Sequence, residues 1–262
     1  GASDMFELEK ASWLDVQVAA KVGENFGSIV GPDFQRNEKG DILIDPQTGL
    51  PQYDKSNHVL GNASWDWTGG LLTNFTYKNV SLVAVFDVKV GADLYSMSAR
   101  AAYESGKSPE TLAGRDAWYR SEEERLAAGI AKGADNWKPT GGFVAPGVID
   151  NGDGTYRPND IYINPEDYWM SVCRNAPSMF IYDNSYVKCR ELTLSYNVPK
   201  SWLKNVVSGL TVSFVARNPF IVWKNIPNID PDSNYNNTTG MGLEYGSLPS
   251  RRSYGFNVNV KF

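Results

Sequence analysis

The end of the chain alternates with period two, and few folds accommodate that pattern. In Ser253-Tyr-Gly-Phe-Asn-Val-Asn-Val-Lys-Phe262, an extended backbone sends Tyr254, Phe256, Val258, Val260 and Phe262 to one face and Gly255, Asn257, Asn259 and Lys261 to the other. Leu210, Val212, Phe214 and Ala216 oppose Thr211, Ser213 and Arg217 in the same way, and Leu192, Leu194 and Tyr196 oppose Glu191, Thr193 and Ser195. Upstream, Leu71 to Lys78 and Val80 to Val90 flank a polar Lys78-Asn79 break that suits a tight hairpin, with Phe75 and Tyr77 facing the way of Leu82, Phe86 and Val90. Blurred alternation from Leu14 to Val22 and from Ser28 to Phe34 adds weaker strands, for roughly seven in all.

Between these strands, Asp93 to Lys132 reads as helix, with Pro109 suited to a first helical turn. Arg120, Glu122-Glu-Glu124 and Arg125 form a solvated charged face. Trp137 to Arg174, rich in Gly, Pro, Asn, Asp and aromatics, reads as a long ordered loop. Strands with one apolar and one polar face belong either to a soluble sheet packed on a core or to an outer-membrane barrel, whose apolar face meets lipid and whose polar face meets a watery lumen. Three features favour the barrel: very unequal connections, strands ending on Tyr77, Tyr196, Tyr254 and Phe262, and a last strand that runs to the final residue.

Composition narrows the function. Among 262 residues, Lys+Arg 25 against Asp+Glu 30 gives a formal charge of −5, which disfavours nucleic acid as a partner. The single histidine, His58, excludes sites that need two imidazoles, and no nucleophile elbow accompanies it. Cys173 and Cys189 are too few for a disulfide scaffold and leave a single bridge open. No apolar run approaches the roughly 18 residues of a membrane-spanning helix, and the opening residues lack signal-peptide features. Asp150 to Asp160 reads as a Gly-rich hairpin turn, because Ile149 stands where a calcium-binding EF-hand loop needs an acid. No phosphate-binding loop is present and no pair of carboxylates stands out, so the expectation is a non-enzyme with no cofactor and no metal.

Further residues carry a family likeness. Gly61-Asn-Ala-Ser-Trp-Asp-Trp-Thr-Gly-Gly70, Thr76-Tyr-Lys-Asn-Val-Ser-Leu82, Phe86-Asp87 and Gly91-Ala-Asp-Leu-Tyr-Ser96 resemble a stretch of the SusC/RagA-like TonB-dependent outer-membrane transporters. Val187-Lys-Cys-Arg-Glu-Leu-Thr-Leu-Ser-Tyr-Asn-Val-Pro-Lys200 is similar to a strand of that family and the turn after it. Val215-Ala-Arg-Asn-Pro-Phe220 with Asn228-Ile-Asp-Pro-Asp232 is similar to its next strand and loop, and Arg251 to Phe262 to its closing strand. Val22 to Gly31 fits the approach to the first of these segments.

The resemblance implies an all-β fold: the C-terminal strands of a large, about 22-stranded antiparallel transmembrane barrel. Residues 1–262 would form that C-terminal part, with 92–175 a long extracellular loop region carrying short helices, and with the plug and signal peptide absent from this chain. It further implies import of oligosaccharides or oligopeptides, a SusD-like surface lipoprotein as partner, TonB acting through the missing plug, and contact with outer-membrane lipid. Glu191, Thr193, Ser195, Arg217, Asn257 and Asn259 would face the lumen, and Phe262 would signal barrel assembly. Trp118, Trp137 and Trp169 are candidates for ligand or partner contact, since indole faces stack on sugar rings and pack on peptide side chains. From a different class, a soluble or surface-attached β-rich glycan-binding module would use the same aromatics on a sheet with a buried apolar face.

Overall fold

The computed structural model describes residues 4–11, 16–204, 207–234 and 240–262. In chain order the strands are β1 (Met5–Ala11), β2 (Val16–Lys21), β3 (Ser28–Phe34), β4 (Tyr53–Asn62), β5 (Trp67–Tyr77), β6 (Val80–Val90) and β7 (Asp93–Ser96). Helices α1 (Met97–Glu104) and α2 (Arg115–Ala127) follow, then short strands β8 (Phe143–Val144), β9 (Val148–Asp150), β10 (Tyr156–Pro158) and β11 (Tyr162–Ile163). Helix α3 (Pro165–Asn175) leads into β12 (Ile181–Asp183), β13 (Tyr186–Asn197), β14 (Gly209–Lys224), β15 (Leu243–Glu244) and β16 (Ser253–Lys261).

The long strands form one antiparallel five-stranded sheet in the order β16-β14-β13-β6-β5. Its register carries the sequence alternation across the whole sheet, because residues opposite each other share a face. Leu82 pairs with Phe75 and Leu194, Leu194 with Phe214, and Phe214 with Phe256. On the other face Ser195 lies between Ser81 and Ser213, and Ser213 pairs with Asn257. The β5–β6 turn is the Lys78-Asn79 break, with Lys78 in the left-handed region at φ 52°. That turn and the 198–208 connection sit at one end of the sheet, while residues 91–185 and 225–252 connect strands at the other.

The second region gathers at the long-connection end. A four-stranded sheet, β1-β2-β3-β4, and a three-stranded sheet, β12-β7-β15, enclose a core of Val16, Val18, Ile29, Tyr95, Cys173, Phe180 and Leu243. A second core of Phe34, Ile44, Ile149, Tyr168, Trp169 and Val172 lies under α3 and the short hairpins. The strand expected over Leu14 to Val22 is β2, with Leu14 and Asp15 outside the described residues.

Three expectations differ from what is found. Strands outnumber the seven expected, because β1, β4 and the short pairs form inside the compact region, where non-local packing supports stretches of weak alternation. The helical stretch opens with strand β7 rather than helix, since Asp93 to Ser96 pairs with β12 and β15. The supposed loop from Trp137 to Arg174 contains α3 and the β9–β10 hairpin. Asn164-Pro-Glu-Asp167 is a helix start: the Asn164 side chain accepts from the Glu166 backbone N–H, Pro165 occupies the first turn, and Arg174 lies in the last.

Candidate functional site

Three arrangements of polar side chains could serve a function. The first is the polar face of the five-stranded sheet. The register brings Glu191 opposite Arg217, with Thr193, Ser195, Asn257 and Asn259 on the same face. The Ser195 and Ser213 hydroxyls lie 2.8 Å apart, and Thr193 Oγ1 donates to Glu191 at 3.1 Å. The Arg217–Glu191 pair is looser at 3.6 Å and exposed, so it contributes little to stability.

The second is an ion network at the long-connection end of the sheet. Lys188, fully buried, donates to Asp230 at 3.0 Å and to Asp232 at 2.6 Å, while Arg190 bridges Asp87 and Asp232. The Ser250 backbone N–H also donates to Asp230, at 2.9 Å. Burial pushes both aspartates up, but hydrogen bonds outweigh it: Ser250, the Asp232 backbone and Lys188 hold Asp230 low, and Arg190 and Lys188 hold Asp232 well below the usual carboxylate range. The network fastens the 225–252 connection to β13 and β6. Residue-level reading of the sequence did not single it out as a site. The signal available was the matching spacing of two cations in Lys188-Cys-Arg190 and two carboxylates in Asp230-Pro-Asp232.

The third is a cleft of about 980 Å³ in the compact region, lined by Trp118, Trp137, Gln47, Asp167 and Arg174 among others. Helix α3 supplies one wall. Its Tyr168, Trp169, Val172 and Cys173 are buried, while Asp167, Met170, Ser171 and Arg174, spaced at helical intervals, border the cleft. Burial pushes the Tyr168 hydroxyl and the Cys173 thiol each up to about 12, so this helix face is packing rather than chemistry. Trp118 comes from the first turns of α2, whose entry requires Gly114: its φ is +79°, and a Cβ there would lie 2.7 Å from the Gly142 carbonyl. Trp137 is held near α2 by the following strand of loop, where the Thr140 backbone N–H donates to Ser121 Oγ at 3.0 Å and its hydroxyl to Glu124 at 2.6 Å.

Of the three tryptophans singled out, Trp118 and Trp137 therefore meet at one cleft. Trp169 belongs to the core beneath, packed on Tyr103, Phe143 and Tyr168, and borders a smaller cavity of about 220 Å³ beside Trp118. Phe262 follows β16 and is fully exposed at the short-connection end, with its carbonyl accepting from Ser208. His58 lies on β4 with Asp54 at 3.0 Å and Ser56 at 3.1 Å, both at Nε2, so no proton relay through the ring is formed. Cys173 and Cys189 are both free and buried. Among the described residues no group of three or more His, Cys, Asp or Glu is arranged to hold a metal ion.

Comparison with known proteins follows the same lines. No family model matches the chain. Over 95 residues it is 33% identical to TonB-dependent receptor P3 of Formosa agariphila, a stretch covering 34% of this chain and 10% of that protein. It matches chains in structures of the RagAB peptide importer in the closed-closed state (TM-score 0.58, 16% identity, 100% of this chain and 25% of that one) and of the RagAB peptide transporter (0.56, 15%, 99% and 25%). The chain thus spans about a quarter of the length of those structural relatives and a tenth of the curated one. The resemblance to SusC/RagA-like TonB-dependent transporters holds in sequence over that stretch and in fold over the whole chain.

Proposed function

We propose that residues 1–262 are the C-terminal barrel portion of an outer-membrane TonB-dependent importer of oligosaccharides or oligopeptides, acting with a SusD-like surface lipoprotein. The five long strands cross the membrane, with Glu191, Thr193, Ser195, Arg217, Asn257 and Asn259 toward the lumen and Phe262 at the periplasmic rim as an assembly signal. The compact region stands outside the cell, where it meets ligand and lipoprotein. Energy arrives from TonB through a plug in the rest of the protein.

One observation carries this reading: among the described residues nothing packs over the sheet's apolar face. Leu194, Phe256 and Val258 are exposed on a continuous band with Trp67 and Trp223 at one end and Tyr77 and Tyr196 at the other. Strand β6 has 11 residues, which at about 3.3 Å each and a tilt of about 40° reach about 28 Å, enough to cross a barrel's lipid band of about 25 Å. Both outer strands, β5 and β16, keep an unpaired edge, which further strands of a barrel would cover. A soluble binding module would require a second layer over Leu194 and Phe256.

The test is spin-label accessibility at neighbouring positions of the intact protein in lipid vesicles. Labels on Phe256→Cys should be relaxed by oxygen and labels on Asn257→Cys by a water-soluble nickel reagent; equal access of the nickel reagent to both would overturn the barrel reading. Phe262→Ala should lower the outer-membrane yield severalfold, and unchanged insertion would remove its role in assembly.

A further inference from the structure

The two ends of the five-stranded sheet carry charge differently. At the long-connection end the cations are taken up by neighbours: Lys188 and Arg190 by Asp230, Asp232 and Asp87, and Lys224 by the Ile229 carbonyl. Residues 72–85, 192–213 and 256–262 form the short-connection half of the sheet and its turns, and they contain Lys78, Lys200, Lys204 and Lys261 but no Asp or Glu. A chain with a formal charge of −5 thus presents one rim whose charged side chains are all lysine. The four lysines are exposed, and their ammonium groups have no hydrogen bond or ion pair with any described residue.

Three of these lysines border the end of the apolar face. The Lys78-Asn79 turn lies beside the 198–208 connection, since the Asn197 backbone N–H donates to the Asn79 carbonyl at 2.8 Å. Lys78 Nζ stands 5.3 Å from the centroid of the Tyr77 ring, and Tyr77 belongs to the cross-strand row Tyr77, Val80, Tyr196 and Val212 that closes that face. The ring thereby holds the ammonium group at the edge of the apolar band. In the neighbouring connection Lys200 and Trp202 share a single helical turn and Lys204 follows it, with Trp202 68% exposed. An indole, apolar in body with one N–H, suits a membrane–water interface. Lys261 lies on the polar face, over Gly209, and adds charge to the rim without reaching lipid.

We propose that Lys78, Lys200 and Lys204 bind the phosphate of an anionic phospholipid on the inner side of the membrane, with Trp202 at the level of its headgroup. A lysine ammonium is a compact charge with three donors on a flexible stem, which suits phosphodiester oxygens whose position shifts with the bilayer. Basic residues beside a membrane span are drawn to anionic lipid within a Debye length. Lipid is favoured over an acidic polypeptide because the ammonium groups adjoin the exposed Tyr77 and Trp202, which a bilayer covers together with the charges and a row of carboxylates does not. The inference rests on the barrel reading for the presence of lipid beside the sheet and goes beyond it in choosing the headgroup.

The experiment is native mass spectrometry of the intact protein released from mixed micelles of dioleoyl phosphatidylglycerol and dioleoyl phosphatidylcholine. The parent should retain the anionic lipid about tenfold over the zwitterionic one, less so as salt rises from about 0.05 to about 0.5 M. Lys78→Gln, Lys200→Gln and Lys204→Gln combined should bring the two lipids to near parity. Removing three charges from exposed lysines of the compact region, with Lys39→Gln, Lys107→Gln and Lys132→Gln, should leave the preference as it is in the parent. The inference is overturned if the parent shows no preference, if the first variant keeps it, if the second variant loses it equally, or if soluble polyglutamate at equal charge displaces the phosphatidylglycerol. The barrel reading fails separately, through equal nickel access at positions 256 and 257.

Discussion

The compact region and the five-stranded sheet are built on opposite terms. The first encloses two apolar cores with fully buried Ile29, Tyr95, Val172 and Phe180; the second leaves Phe75, Leu194, Phe256 and Val258 uncovered. Inside one chain, burial of apolar surface by protein drives one part, and the other has an apolar face that no described residue covers. Under the barrel proposal that surface is ordered by its backbone ladder, and lipid covers it. Only small residues are hidden there: Ala84 and Ala216 flank Leu192, so the larger side chain covers both.

Substitutions can break or sharpen that contrast. The largest effect is expected from Phe180→Ala, which opens a cavity in the compact core and should cost about 3–5 kcal/mol, read as a drop in the thermal midpoint of the intact protein; a cost no greater than that of Phe256→Ala would erase the distinction. Leu194→Arg should cost roughly 2–4 kcal/mol if its face meets lipid, while Thr193→Arg on the opposite face should cost less than about 1 kcal/mol, measured by folding into vesicles. Equal costs would mean that both faces are wet.

The ion network joins the two regions, and its effect is intermediate. Asp232→Asn leaves the buried Lys188 and Arg190 undercompensated and should loosen the 225–252 connection by roughly 2–3 kcal/mol, seen as faster hydrogen exchange there. Because Asp230 and Asp232 are held below their ordinary values, their contribution is fully present above the unfolded carboxylate pKa of about 3.9 and is lost as pH falls through the folded values. The protection of the connection, relative to the intrinsic exchange rate at each pH, should therefore be alike at pH 7 and pH 5 and fall only in stronger acid; a loss near pH 6 would assign its stability elsewhere. A smaller effect than that of the ion network, about 1 kcal/mol, is expected from Asn164→Ala at the start of α3, detected as increased proteolysis of the adjoining loop.

Much of the sheet is legible in the sequence alone. Tyr254 through Phe262, Val212 with Phe214, and Leu192 with Leu194 sort themselves by parity, and the Lys78-Asn79 turn places the hairpin. The compact region was read less well. Asn164-Pro-Glu-Asp167 announces α3, yet the surrounding Gly, Pro and aromatic residues resemble a loop when counted as composition. The cleft was half legible: Trp118 and Trp137 could be singled out as large aromatics, but Gln47 and Arg174, which line it with them, carry no local mark. Lys188 reads as a solvated lysine until Asp230 and Asp232, some forty positions on, are folded against it.

By itself the sequence determined which side chains share a face of each long strand, because that period depends on backbone geometry alone and needs no knowledge of neighbours. It determined the unequal connections too, since turn chemistry is local. Only the tertiary structure decided that β2, β7 and α3 share one core and that α3 divides its residues between core and cleft. Those outcomes depend on contacts between segments distant in the chain, whose energies no single stretch of residues contains.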